Sequence, residues 1–179
     1  MKSLFLLVLG AGLLGSLSGA FGSGELLQNG GFANDTIDPW QFILMDGAAG
    51  TCRVAPDGPD KKPAALINIT AASQGGQAWQ VGLNQNAIKV SKGKSYRLSF
   101  QSKGSNVPSL TVLVGPAHPP YGSLPGVERK VVALTDDWQS TTYDFIATED
   151  EPAARVLFYN FNVSGATICL SAVSLTELP

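Results

Sequence analysis

Past residue 20 the apolar residues recur at every second position in short runs, and no helical period of useful length appears. A two-residue period puts successive side chains on opposite faces of an extended strand. Each run therefore has one face for a core and one for something else. The clearest runs are Trp40–Met45, Thr51–Ala55, Ala64–Thr70, Gln77–Gln85, Ser95–Lys103, Ser109–Val114, Arg129–Leu134, Gln139–Ala147, Ala154–Asn160 and Ala166–Thr176. Between them stand DGPDKKP, SQGGQ, VSKGK, GSNVP, GPAHPPYGSLPG and TEDEP, rich in turn-forming Gly, Pro, Asp and Ser. Strands at this spacing with no helix between them predict an all-β fold, an antiparallel sandwich of two sheets. No internal repeat and no second domain is visible. The Pro/Gly-rich stretch 115–126 is too short for a linker and reads as a binding-type loop.

Residues 1–20 stand apart. Met1-Lys2 is a short positive end, Ser3 to Leu17 is almost wholly Leu, Val, Gly and Ala, and Ser18 and Ala20 sit at the small-residue positions of a cleavage site. This is the pattern of a secretory signal peptide, and it leaves 21–179 as one secreted, extracellular domain. The apolar run is shorter than the roughly 20 residues of a membrane span, and Gly10, Gly12 and Gly15 interrupt it. The formal charge of the chain is −2 at pH 7, one unit more negative without Lys2. That balance gives no electrostatic footprint for nucleic acid or for an anionic membrane. Only 15% of residues are charged, so the polar surface is built from Asn, Gln, Ser, Thr and Gly.

The second face of several runs is unusual. In Gln77–Asn86, QAWQVGLNQN, one set of alternate residues is Trp79, Val81 and Leu83, which suits a core and puts Trp79 inside. The other set is Gln80, Gly82, Asn84 and Asn86. Ser109–Val114 sets Leu110, Val112 and Val114 against Thr111 and Leu113, and Ala154–Asn160 sets Val156 and Phe158 against Arg155, Leu157 and Tyr159. Amides offer donors and an acceptor in a fixed plane, arginine a rigid donor fork, and tyrosine an apolar face with a polar tip. These are the groups that match the hydroxyls and C–H faces of sugar rings. A face carrying Gln80, Asn84, Asn86, Arg155 and Tyr159 reads as a trough for a neutral polysaccharide, with glycine allowing close approach to the backbone.

Two cysteines, Cys52 and Cys169, occur. An even pair in an exported protein reads as a disulfide, with two buried free thiols as the alternative. A bond closing so long a loop stabilises by about 4–5 kcal/mol. Asn34, Asn68 and Asn162 each begin an N-x-S/T triplet, a glycan acceptor in a eukaryote and of little meaning in a bacterium.

Several segments, in order, resemble the carbohydrate-binding modules of the family 4/9 type found in bacterial cellulases. LLQNGGFANDTIDPW is similar to the family's N-x-G-F-E…W opening. IKVSKGKSYRLSFQSKG resembles its L-x-x-G-x-x-Y-x-L-x-F element, LTVLVGPAHPPYGS the strand and loop bearing a stacking tyrosine, VALTDDWQSTTYDFIA its T-x-x-W segment, and ICLSAVSL its closing strand. The resemblance implies a galactose-binding-like jelly roll whose concave sheet holds one glycan chain, a β-linked glucan or xylan, without catalysis. It puts Tyr121 on the stacking tyrosine and Asn84 or Asn86 near a hydrogen-bonding asparagine. Arg155 and Tyr159 fall where relatives present glutamines, and Gln41 and Ile43 on the other wall. Thr111, on the same strand face as Leu113, joins the candidate carbohydrate-binding set. Ala117 stands where relatives carry an asparagine. Trp40 and Trp138 match framework positions, and Cys52 and Cys169 match a cysteine pair of some relatives. Ala33 and Ser171 replace two acidic residues that help hold a structural calcium, so the expectation is no metal and no cofactor.

Two other readings compete. A polysaccharide-cleaving jelly roll needs two carboxylates about 5–10 Å apart in one cleft, and the candidate strands hold none. Asp136-Asp137 and TEDE read as solvated turns, and His118, the one histidine, has no nucleophile motif beside it. A lyase built on Tyr159 and Arg155 is the weaker form of this reading. The other is a structural or adhesion protein that holds wall or matrix proteins.

Overall fold

The computed structural model describes residues 24–33 and 35–179. The leader and the acceptor Asn34 lie outside the described residues. Each expected run contributes one strand, the run Gln77–Gln85 only from Val81 onward: β1 Gln41–Leu44, β2 Ala49–Ala55, β3 Ala64–Ala71, β4 Val81–Val90, β5 Ser95–Ser105, β6 Ser109–Pro116, β7 Lys130–Ala133, β8 Gln139–Ile146, β9 Glu151–Tyr159 and β10 Thr167–Glu177. They form two five-stranded antiparallel sheets, ordered β1-β4-β9-β6-β7 and β2-β3-β10-β5-β8. The fold is the expected all-β jelly-roll sandwich.

The alternation explains the core. Val81, Leu83, Val112, Val114, Val156 and Phe158 face inward from the first sheet, and Ile67, Ile69, Leu98, Phe100, Ile168 and Leu170 from the second; all are buried. An aromatic chain bridges the layers. Trp40 lies 6.1 Å from Phe158, and Phe158 meets Phe100 edge-on at 5.0 Å. Trp40 is core, as expected.

Trp138 is not. It is half-buried beside the second sheet, its indole N–H donating to the Asp57 carbonyl at 3.1 Å and its ring 5.3 Å below the Lys103 ammonium.

The expected disulfide is also absent: Cys52 and Cys169 are free thiols. Register gives the reason. Cys52 pairs with Ile67 and Cys169 with Leu66, so β3 separates the two strands and the side chains point to opposite faces of the sheet. Cys52 packs against the core, while Cys169 faces outward near Asp57, its Sγ 3.8 Å from Oδ2. No rotamer brings two such sulfurs to bonding distance. Burial pushes both thiols up, Cys52 to about 12 and Cys169 to about 11.

Candidate functional site

The outer face of the first sheet carries a cleft of about 700 Å³, within the size range of ligand sites. Strand register lays its floor in rows. Gln41, Asn84, Leu157 and Leu113 stand side by side across β1, β4, β9 and β6. Ile43, Gly82, Tyr159 and Thr111 form the next row, and Arg155 pairs with Gly115 in a third. Along β9, Arg155, Leu157 and Tyr159 alternate with the core residues Val156 and Phe158. The distance from Arg155 to Tyr159 is about 13 Å at the usual rise.

Leu113, Leu157 and Tyr159 form a small buried apolar cluster with Ile43 and Ala78 against it. This is the cleft floor, separate from the main core. Gly82 fits beneath it: a Cβ there would lie 2.5 Å from the Phe158 carbonyl oxygen and 3.3 Å from the Tyr159 Cβ. The glycine expected to admit a ligand instead admits Tyr159.

The amides form a chain. Asn84 Nδ2 donates to Asn86 Oδ1 at 2.7 Å, and Asn86 Nδ2 donates to Gln41 Oε1 at 3.1 Å. Asn84 is 3% exposed, and its Oδ1 has no partner. Such an orphan acceptor costs about 1–3 kcal/mol in a dry site.

Tyr121 stands on the β6–β7 loop and is 63% exposed. The Arg155 guanidinium stacks over its ring, 5.2 Å from the centroid. Burial lowers the Arg155 pKa from its usual value, partly offset by Tyr121. Its Nε is buried without a hydrogen bond. The loop is held down because Gly115 has no side chain: a Cβ there would lie 1.8 Å from the Gly122 carbonyl oxygen. Leu124 N–H donates to the Val114 carbonyl at 2.9 Å, and Leu124 and Val127 anchor the loop in the core. His118 ties it to the start of β9, its Nε2 3.3 Å from Glu151 Oε1 and its Nδ1 3.0 Å from the Pro119 carbonyl oxygen. Both partners are acceptors, so the imidazolium suits the site and the His118 pKa is raised.

The structure thus brings Gln41, Asn84, Asn86, Tyr121, Arg155 and Tyr159 to one cleft, with Ile43 and Ala117 on its lining. Two expectations fail. Gln80 is buried at 4% and belongs to a loop network, where its side chain bonds Ser73, Asp46 and the Gln77 N–H. Thr111 shares the face but is buried at 7% outside the cleft lining.

Sequence reasoning missed Trp79, which is 50% exposed and lines the cleft with Met45. A 3-10 turn over Ala78–Gln80 precedes β4, so the two-residue period does not extend back from Val81 to Trp79. The signal was present: Gln77 and Gln80 stand at capping-box spacing, a helix-start pattern. Arg129, Leu113 and Leu157 were also not named for the cleft.

Among the other expected positions, Asn162 turns its amide to the 73–77 loop, accepting from the Ser73 N–H at 2.6 Å. Asn68 lies on the back sheet, where its Oδ1 accepts from Thr167 at 3.1 Å. Ser171 is buried and donates to the Pro63 carbonyl at 2.9 Å.

A two-sheet jelly roll with an open, aromatic-flanked cleft across one outer face defines a binding module. The chain belongs to the family 4/9 carbohydrate binding domains, whose model matches residues 24–162. It is 27% identical over 162 residues to Endoglucanase C of Cellulomonas fimi, covering 86% of this chain but only 14% of that enzyme. The fold is similar to a solved CBM4 structure (TM-score 0.71, 22% identity, 84% of this chain and 99% of that one). It also resembles the N-terminal cellulose-binding domain of Cellulomonas fimi β-1,4-glucanase C (TM-score 0.60, 22% identity, 84% and 95% covered).

Proposed function

We infer that the chain works outside the cell as a non-catalytic module holding a single β-linked glucan or xylan chain along the cleft. The observation that carries this reading is the pairing of aromatic faces, Tyr121 and Trp79, with the apolar floor and the Gln41–Asn86–Asn84 amide chain. The rings accept C–H faces of sugars, and the amides meet their hydroxyls. The chemistry supports holding rather than cutting, because among the described residues no carboxylate lines the cleft to act as acid or base. The family and the cellulase relative favour a β-linked chain and an extracellular setting.

Calcium has no part in this reading. Ala33 brings no side-chain oxygen and Ser171 donates its hydroxyl to Pro63, which leaves Asp35 and backbone carbonyls as the oxygens near those positions.

Affinity electrophoresis in gels containing soluble β-glucan, xylan or mannan tests the proposal. Retardation by the first two, with no new reducing ends, is expected. Tyr121→Ala and Trp79→Ala should each weaken it by about tenfold, roughly the stacking energy lost. Migration indifferent to every polymer, or the appearance of reducing or unsaturated ends, overturns it.

A further inference from the structure

The cleft is cationic in a protein that is not. The whole chain has a formal charge of −2, yet among the described residues Arg129 and Arg155 line the cleft and no aspartate or glutamate does. Neither arginine has an ion pair among the described residues, where the paired carboxylates are Glu177, Asp144, Asp57 and Glu151. Asp144, near Arg129 in a neighbouring surface hollow, is already held by Arg97 through two 2.7 Å contacts. Glu128, next to Arg129 in sequence, makes no ion pair with it.

Arg155 is the more telling. It is half-buried, it pays for desolvation with no counter-charge, and its Nε lacks a hydrogen bond. The enclosed Nε is out of a ligand's reach, but a desolvated guanidinium with no counter-charge gains when an anion meets the part of it that lines the cleft. Stacking on Tyr121 holds its planar fork in one orientation, the arrangement suited to bidentate contact with an oxyanion. Hydroxyls alone do not call for two uncompensated positive charges in one cleft.

We propose that the cleft selects polysaccharide chains bearing anionic substituents, uronate carboxylates or sulfate esters, which Arg155 and Arg129 read while the aromatic faces and amides hold the backbone. This rests on the glycan-binding reading above and extends it from a neutral chain to an acidic one.

The test uses the full chain and four gel polymers: a glucuronate-bearing xylan, the same xylan after reduction of its carboxyls, a sulfated xylan, and a neutral mixed-linkage β-glucan. Binding to the acidic forms should exceed binding to the carboxyl-reduced form on the order of tenfold, as charge-assisted pairs allow. Preference for the carboxylated or for the sulfated polymer names the source of the anion. Arg155→Gln and Arg129→Gln should each remove most of the preference, and Lys62→Gln, on the loop between β2 and β3, none of it. Equal retention by acidic and carboxyl-reduced xylan overturns the charge reading while leaving glycan binding intact. A preference that survives both arginine substitutions also overturns it, as bulk electrostatics. Retention by none of the four removes the glycan-binding reading and this one together.

Discussion

On the back sheet Arg97 grips Asp144 at 2.7 Å, Lys103 meets Asp57 at 3.0 Å, and Lys94 meets Glu177 at 2.8 Å; on the cleft sheet Arg155 and Arg129 meet no carboxylate among the described residues. The two faces come from different five-stranded sheets that cover the same core. They differ in what they leave unfinished. The back face sets Ser and Thr rows around paired charges, and the unpartnered hydroxyls of its strands, Ser102 and Tyr143, lie on core-facing positions. The cleft face holds an orphan Asn84 oxygen, an unpaired guanidinium and two exposed aromatic rings. Unpaired arginines and exposed aromatic rings, rather than polarity as such, set the cleft face apart and support its proposed role as the ligand face.

β9 sharpens the contrast most, because its neighbouring residues serve opposite faces. Phe158→Ala, which empties the junction with Trp40 and Phe100, should cost about 3–5 kcal/mol of stability, read as a lower midpoint in denaturant. The cleft substitutions Tyr121→Ala and Trp79→Ala should leave that midpoint nearly unchanged. A stability loss from Tyr121→Ala as large as from Phe158→Ala would break the division of roles.

Gly115→Ala comes next. Its Cβ would strike the Gly122 carbonyl, backbone against backbone, so the loop must lift. An expected cost of about 1–3 kcal/mol in stability should come with glycan retention as poor as that of Tyr121→Ala. Unimpaired retention would show that the loop does not position Tyr121.

The pH dependence of the cleft loop is a smaller effect. The His118 pKa is raised from 6.5, first by the Pro119 carbonyl and then by Glu151. A raised folded-state value means its stabilisation is full below about 6.5 and is lost as pH rises through the folded value. The wild-type melting temperature should therefore fall over that window relative to His118→Ala. The back-face counterpart has the opposite sign. Arg97 lowers the Asp144 pKa, so that pair helps above the ordinary aspartate range and is lost as pH falls through the folded value.

The smallest effect belongs to the back face itself. Arg97→Gln breaks an exposed pair and should lower the melting temperature only slightly, without altering retention by any glycan. Loss of binding there would move the site to the wrong sheet.

Much of the sandwich was legible because a two-residue period is local. It is written in Leu110, Val112 and Val114 against Thr111 and Leu113, whatever lies elsewhere. Asn84, Asn86, Arg155 and Tyr159 were legible on one face for the same reason, whereas Tyr121, on a loop, and Gln41 came from the family resemblance. What failed depends on structure that alternation cannot carry. A single 3-10 turn points Trp79 to the cleft and Gln80 into the buried loop network with Ser73 and Asp46. The fate of Cys52 and Cys169 is set by register across β3, which pairs residues about 100 positions apart. That Arg155 goes unpaired is a tertiary fact, since Glu149, Asp150 and Glu151 precede it in sequence and none reaches it.

The most direct measurement is a backbone amide NMR titration of the full chain with a soluble β-glucan or xylan oligosaccharide. Shifts gathered on Asn84, Asn86, Tyr121, Arg155 and Trp79, with the β5 and β8 amides still, are the expected result. Shifts centred on β5 and β8, or none at saturating ligand, contradict the assignment of the cleft as the glycan site.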